Sequence, residues 1–512
     1  MSDNSSNNKR IAKNTILLFA RMLLLMGVSL YTSRVTLDAL GVDDYGIYNV
    51  VGGVVAMFTI LSGSLTAAIQ RFLTFELGKG DVEKLKTTFS TSVNIQVGLS
   101  LFILVLCEIV GVWFLNAKMN IAAERMVAAN WVLQCSIVTF SINLISVPYN
   151  AAIIAHEKMS AFAYISILEA LFKLGVVLAL YLTLKDRLIL YAVLLTCVAV
   201  ILRLIYGFYC KKHFEECSYH FVHDKGLLRK MAGFAGWNFI GSAAGVLRNQ
   251  GVNILLNMFC GTVVNAAQGV ATHVNSAVYG FVANFMTALN PQITKSYATG
   301  NMAYLNTLLC QGARLSYYMF FLLSLPVLIE TETLLGIWLV EVPAHSVAFV
   351  RLILLTSLID AISGPLITAM LATGDIKKYQ IWAGGLNLLT FPLAYIALKL
   401  GVAPEVTLII GLVISNILLF MRIILLRGMF DFDYKRFITK AYGNILIVSA
   451  LAAVLPFSIY FLVHNTLPQF ICVCTSSAIS CLLVFYFIGC NAGERAFVNG
   501  KIALVLSKIR RK

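Results

Sequence analysis

Apolar runs of about 20 residues, broken by short polar segments, recur along almost the whole chain; "LILYAVLLTCVAVILRLIYGFYC" (188–210) is one of them. A helix of that length matches the hydrocarbon thickness of a bilayer. Inside lipid, only helices or closed barrels satisfy their own backbone groups. Marking such runs predicts fourteen spans, near 12–33, 46–69, 88–115, 126–154, 161–184, 188–210, 231–258, 264–289, 307–329, 347–371, 381–400, 406–426, 441–463 and 469–489. Composition agrees. Hydrophobic residues make up 59% of the 512 positions and charged ones 12%, whereas soluble domains carry about 25% charged residues. The reading is an all-α integral membrane protein.

The distribution of charge gives orientation. Of 39 Lys and Arg residues, 26 fall in segments on the side of the N-terminus, six on the opposite side (Arg34, Lys118, Arg125, Lys185, Arg187, Lys399) and seven within spans. That asymmetry predicts cytoplasmic termini by the positive-inside rule. The net charge of +15 is spread over many short segments rather than one patch, so nucleic acid is not an expected partner. The eleven cysteines lie mostly in apolar runs such as "LTCVAV" and "ICVCTSS", the usage of small buried residues rather than a disulfide framework. The basic lead and long apolar run at the N-terminus read as a first membrane helix, not a removed signal.

The chain repeats itself. A shift of 220 residues lays Gly41 on Gly261, Gly80-Asp81 and Leu85 on Gly300-Asn301 and Leu305, and Phe19 on Phe239. "PYNAAIIAHEK" and "PLITAMLATGD" match at a slightly different offset. The expected organisation is a six-helix lobe (1–215), a cytoplasmic connector (216–230), a second six-helix lobe (231–430) and two extra spans (431–489). A basic amphipathic tail (490–512) would lie on an anionic leaflet. Two parallel repeats with a substrate held between them is a common transporter design.

Charges within spans are expensive and mark candidate sites. The predicted spans hold Arg21, Lys173, Arg203, Arg248, Arg314, Arg351 and Arg422 against Glu108, Glu169 and Asp360. Glu169 and Lys173 have i,i+4 spacing and should pair locally; Arg203 and Arg422 are near span ends and should snorkel. Arg21 and Arg248 lie deep in the first span of each lobe. Asn238, Ser242, Gly245, Asn249, Asn253 and Asn257 recur at three- or four-residue spacing, forming a polar face beside Arg248. Span eight (Asn265, Gln268, His273, Asn275, Asn284) and span two ("TILSGSLTAAIQ") are polar as well. Such faces either line a cavity or hydrogen-bond helix to helix. A cationic cavity suits an anionic substrate, and arginine's planar fork suits phosphate. Glu108 and Asp360 are the isolated internal acids and the candidate coupling groups.

Other chemistry is poorly served. Cys210, His213, Cys217, His220 and His223 share a loop, but their spacing fits no zinc template, so neither a metal nor a cofactor is expected. "ELGKGD" lacks the first glycine and the Ser/Thr of a phosphate loop, and no GxSxG or HExxH occurs. An enzyme is not expected.

"SRVTLDALGVDDYGIYNVVGGVVAMFTILSGSLTAAIQRFLTFELGKGD" resembles the opening of polysaccharide (lipid-linked oligosaccharide) flippases of the MOP/MATE exporter superfamily. Their LGxxxYGxY loop appears here as Leu40-Gly41-Val42-Asp43-Asp44-Tyr45-Gly46-Ile47-Tyr48, with a basic residue, Arg71, after span two. The resemblance implies alternating-access transfer of undecaprenyl-diphosphate-linked oligosaccharide (an O-antigen, capsule or exopolysaccharide repeat unit) across the bacterial cytoplasmic (inner) membrane. It implies cavity roles for Arg21 and Arg248, and for Arg34, with Asn249 and Asn253 beside them. Membrane lipids and polysaccharide polymerase machinery would be the further partners. The same superfamily includes cation-coupled multidrug antiporters, an alternative reading alongside a non-transporting structural protein.

Overall fold

With most of its sequence destined for lipid, the chain satisfies its backbone within helices. A computed structural model describes residues 2–56, 59–118, 121–182, 186–222, 224–339, 342–463, 466–496 and 499. The helices are α1 (Ser2–Ala56), α2 (Thr59–Lys79), α3 (Val82–Leu106), α4 (Val112–Lys118), α5 (Met126–Ala155), α6 (Met159–Ala179), α7 (Arg187–His213), α8 (Lys225–Cys260) and α9 (Thr262–Ala298). The second half continues with α10 (Met302–Ile329), α11 (Thr331–Trp338), α12 (Ser346–Thr373), α13 (Lys377–Lys399), α14 (Glu405–Arg427), α15 (Tyr434–Arg436), α16 (Gly443–Leu462) and α17 (Thr466–Val484).

Eleven helical spans among the described residues are long and apolar enough to cross a membrane. The chain is a multi-pass, all-helical membrane protein. The expected count of fourteen is not reached by that criterion. The spans that miss it are the second, which runs across residues outside the described set, and the seventh and eighth, whose polar and small residues lower their hydropathy. Length is not what they lack: α8 and α9, at 36 and 37 residues, extend roughly 54 Å at 1.5 Å per residue.

The internal repeat has a backbone signature. Gly41 and Gly261, 220 positions apart, have φ of 78° and 82°; Gly80 and Gly300 have 75° and 71°. The shorter offset pairs Pro148 of α5 with Pro365 of α12, and carries Glu157 (φ 57°) onto Gly374 (φ 84°). Three left-handed positions thus recur in register. At two of them the helix ends alike: Glu157 N–H donates to Ile154 O and Lys158 N–H to Ile153 O, while Gly300 N–H donates to Tyr297 O and Asn301 N–H to Ser296 O. This is a Schellman closure, which favours glycine at its left-handed residue. Glu157 departs from that preference.

Gly41 divides α1 into two helices at φ 78°, ψ 169°, a region that is essentially glycine-only. Gly41→Ala should therefore destabilise the protein by about 1–3 kcal/mol. Gly27→Ala, in the same helix with nothing near its would-be Cβ, should be neutral or stabilising by up to about 1 kcal/mol. Thermal unfolding of the two variants in detergent checks the contrast; equal midpoints would mean that the bend at Gly41 is not required.

The chain forms two compact units. Unit 1 comprises residues 1–243, 287–301 and 371–380; unit 2 comprises 244–286, 302–370 and 381–512. In unit 1 the core runs through Ile69, Leu73, Phe89, Ile153, Val177 and Leu180, none more than 1% exposed. In unit 2 it runs through Leu256, Phe320, Phe349, Leu354, Ala361 and Val473, all fully buried. In unit 1, basic residues stand in the last turns of α2 (Lys79), α7 (Lys211, Lys212, His213) and α9 (Lys295).

Candidate functional site: charges within the spans

Unit 1 contains a cavity of about 390 Å³ lined by Arg21 of α1, Glu169 and Lys173 of α6, and Tyr45, Tyr48 and Tyr191. Ser29, Thr32, Thr36 and Ser166 add hydroxyls. The Arg21 guanidinium lies over the Phe162 ring, 4.5 Å from its centroid, and its Nε has no hydrogen-bond partner. Lys173 Nζ and Glu169 Oε1 are 2.6 Å apart, so the predicted local pair forms. It also faces the same space as Arg21, which spacing along one helix does not reveal. The cavity therefore holds two cations, one carboxylate and three phenols.

The LGxxxYGxY stretch builds one end of this cavity. The bend at Gly41 brings Tyr45 and Tyr48 to the lining, with Tyr48 packed edge-to-face on Tyr191 at 4.9 Å. Asp44 is anchored by an ion pair with Arg125, which also binds Asp186 at 2.7 Å. Arg187 donates to Ala39 O at 3.0 Å, and Tyr181 donates to Asp38 at 2.6 Å. The motif thus turns the chain, ties it down and presents two aromatic rings.

Arg248 belongs to unit 2, where it is anchored on three sides. Its Nη1 donates to Asn387 Oδ1 at 3.0 Å, and its Nη2 to Gly411 O at 3.0 Å and Ser415 Oγ at 3.4 Å. Ser415 in turn hydrogen-bonds Asp360, on which Arg422 and Arg248 act as the neighbouring cations. Arg422 does not snorkel: it is 6% exposed, with Nε and Nη1 lacking hydrogen-bond partners. Gly411, Ser415, Leu418 and Arg422 share one buried face of α14, as i, i+4, i+7 and i+11 must. Helix rotation, not distance from the end, decides the fate of Arg422. Asp360 thus shares this interior with both guanidiniums. Asp360→Asn should cost on the order of 2 kcal/mol, because it leaves like charges facing each other in a poorly hydrated site. A double-mutant cycle of Asp360→Asn with Arg248→Met tests the pairing, and strictly additive losses would show that the two do not interact.

The remaining predicted positions have specific surroundings. Asn253 accepts a hydrogen bond from Asn265 through its backbone carbonyl, at 2.9 Å, and contacts the same amide through its side chain. That is helix-to-helix bonding between α8 and α9. Asn249 is exposed. Glu108 sits in a π-helical turn, Cys107–Gly111, and accepts from Gln134 Nε2 at 3.0 Å. The side chain of Arg34 lies outside the described residues, as do most of the predicted tail and His223. Arg203 packs over Tyr149, 3.9 Å from the ring centroid. Arg314 donates to Gly489 O and pairs with Glu494 at 2.7 Å. Arg351 donates to Leu328 O and Ile329 O, the final carbonyls of α10, where a cation is favoured.

One constellation has no counterpart among the sequence expectations. Glu157, at the strained end of α5, has a fully buried side chain. Its carboxylate meets Arg10 Nε at 2.7 Å, Lys295 Nζ at 2.8 Å and Gln292 Nε2 at 2.6 Å. Asn14 donates to its carbonyl at 3.3 Å. The ends of α1, α5 and α9 are clasped on one acid. Burial pulls the Lys295 ammonium below its ordinary pKa although Glu157 opposes the shift, so desolvation is not fully compensated. Close by, a Cβ on Gly78 would stand 3.0 Å from the Cβ of Ala298, its equivalent at the 220-residue shift, and 3.2 Å from Lys295 Cα. A left-handed glutamate where the other repeat has glycine is the available signal, and it is invisible without the backbone.

Among the described residues, no group of three His, Cys, Asp or Glu side chains is placed to hold a metal. The Cys217 thiol is held above its ordinary pKa by its hydrogen bond to Cys210 and by burial, opposite to what a thiolate ligand needs. "GKGD" closes α2 at Gly80 and caps α3: Asp81 accepts from Lys84 N–H at 3.1 Å and Lys84 Nζ at 2.7 Å, contacts that hold its carboxyl below the usual range.

Comparison with known proteins agrees with this architecture. No curated protein matches the chain. Among solved structures, one of a MATE protein in complex with MaD3S superposes with a TM-score of 0.71 at 13% identity, covering 83% of this chain and 97% of that one. An outward-facing multidrug resistance MATE transporter of the MOP superfamily gives 0.69 at 13% identity, covering 81% and 93%. A MOP superfamily transporter from Pyrococcus furiosus, described as having a binding pocket of reverse polarity that suggests a different function, gives 0.68 at 12% identity, covering 82% and 96%. At these identities the likeness establishes the fold. The model of the polysaccharide biosynthesis protein family matches residues 11–297, more than half of the chain. This multi-pass protein, built on the fold shared by MOP-superfamily transporters, therefore belongs to the polysaccharide biosynthesis protein family.

Proposed function

We propose that the chain moves a polyprenyl-diphosphate-linked oligosaccharide across the bacterial cytoplasmic membrane by alternating access, with both termini in the cytoplasm. The observation that carries this reading is the Arg21 cavity. A polar pocket within the spans, with a cationic excess and tyrosine walls, suits a glycan diphosphate. Arginine and lysine give charge-assisted bonds to phosphate oxygens, and phenol rings offer sugars both a flat apolar face and a hydroxyl. A glycan cannot cross hydrocarbon unaided, because each unpaired hydroxyl costs several kcal/mol. The polyprenyl tail would stay in lipid while the headgroup passes through protein. Within unit 2, Arg248 would hold anionic groups in its own interior, and opening of the Glu157 clasp in unit 1 would accompany one half of the cycle. Membership of the polysaccharide biosynthesis family supports a role in supplying glycan.

The test is translocation in proteoliposomes, read as protection of the glycan from an impermeant glycosidase. A polyprenyl-diphosphate oligosaccharide should cross in a protein-dependent way, and an uncharged polyprenyl glycoside with the same sugars should not. Equal transfer of both would remove the role given to the cations. A second reading, a cation-coupled antiporter, draws on Glu169 in the cavity and on Asp360, on which Arg248 and Arg422 act as neighbouring cations. It requires uptake driven by a proton or sodium gradient and lost in Asp360→Asn or Glu169→Gln.

A further inference from the structure

A second cavity in unit 1 has features that the transport reading does not use. It encloses about 420 Å³ where α2 ends, α8 begins and α12 turns into α13. Four cations border it, Arg71, Arg229, Lys230 and Lys377, against one acid, Asp375. Its walls are aromatic: Phe72 and Phe234 pack edge-to-face at 5.8 Å, and Trp237 lies under Lys377 Nζ at 5.5 Å. Gly233 leaves open space where a side chain would stand.

Arg71 is built into this wall. Its guanidinium lies over Phe72 and Phe75 at 4.7 and 4.6 Å, and Nη2 donates to Ala372 O at 2.9 Å. A Cβ at Gly374 would meet Nη2 at 2.6 Å, so the glycine there serves both the turn and the close approach of the arginine. Nε is buried without a hydrogen-bond partner. Arg229, Lys230 and Lys377, by contrast, are exposed at the mouth.

We propose that this cavity binds the phosphate of a lipid headgroup. The exposed cations would take the phosphate oxygens, with Arg71 behind them and the lipid chain lying along the aromatic wall. A purely hydrophobic ligand would leave the cations without counter-charge. A carboxylate offers fewer acceptor oxygens than a phosphate ester to a set of this many donors. Tryptophan and basic residues side by side mark the level of the headgroups in membrane proteins. Two sources share this chemistry: bulk anionic phospholipid and a polyprenyl diphosphate. The cavity shares no lining residue with the Arg21 pocket, so its fate is independent of the transport reading.

The test is native mass spectrometry and thermal stabilisation of the full chain in detergent. The probes are phosphatidylglycerol, phosphatidylcholine, polyprenyl diphosphate and inorganic phosphate. Wild type should retain an anionic phospholipid or the diphosphate in preference to phosphatidylcholine. Arg229→Gln/Lys230→Gln/Lys377→Gln should weaken that binding roughly a hundredfold, at about fivefold per cation. Lys211→Gln/Lys212→Gln, an exposed basic pair elsewhere on unit 1, should leave it unchanged. Whichever of the two lipids is lost in the triple variant identifies the source. Stabilisation by inorganic phosphate alone would overturn the lipid assignment. Equal binding of phosphatidylcholine, or loss in the Lys211/Lys212 variant as well, would overturn the site.

Discussion

Glu157→Ala is expected to lower stability by about 3–5 kcal/mol, the cost of breaking a buried ion pair by removing one partner. Several degrees in the unfolding midpoint should follow. The carboxylate is fully buried and meets two cations and an amide. Arg10 is half-exposed and will be partly screened by water, so most of the loss falls on Lys295, whose side chain is 22% exposed. Two further variants separate the contributions. Glu157→Gly removes the same charge but relieves the left-handed backbone, and should be about 1 kcal/mol more stable than Glu157→Ala. Glu157→Ala/Lys295→Met should recover part of the loss, because no uncompensated ammonium remains. An alanine variant that melts with wild type would show that the clasp contributes nothing and is not a latch between α5 and α9.

Arg21→Gln is expected to cut translocation of a diphosphate-linked glycan about 10- to 100-fold, the worth of one charge-assisted hydrogen bond of ~1.5–3 kcal/mol. Folding should survive. Arg21 packs on Phe162, its Nε is unpaired, and losing the ring contact costs about 0.5–2 kcal/mol. Arg21→Lys keeps the charge but not the planar fork, and should fall between wild type and Arg21→Gln. The measurement is the initial rate in proteoliposomes at matched protein density, alongside the unfolding midpoint. Unchanged transport in Arg21→Gln would move the phosphate role to Lys173 or out of this cavity altogether.

The two predictions rest on different kinds of legibility. Arg21 stands out in the sequence because an isolated cation in an apolar run has no cheap explanation. Glu157 does not: it sits at the end of a span among polar residues, where a solvated carboxylate would be ordinary. Its importance comes from Arg10, 147 positions away, and Lys295, 138 away. Arg248 and Arg422 divide in the same manner. Depth along the span separates them in sequence, yet both act on Asp360, because α14 turns Ser415 and Arg422 toward the same interior.

What the sequence determined by itself follows from local physics. Apolar run length marked eleven of the spans, and a single-residue conformational preference suits the left-handed turns at Gly41, Gly80, Gly261 and Gly300. Each depends on a residue and its near neighbours, so each can be read along a line. Which face each polar helix turns inward, and which charge meets which, was decided only by the tertiary structure. Tyr45, Tyr48 and Lys173 joined Arg21, Asn253 found Asn265, and Glu157 drew in Arg10 and Lys295. The physical reason is the cost of a lone charge in a poorly hydrated interior. That cost requires a partner, yet many helix rotations could supply one, and only the packing of the whole helix selects among them.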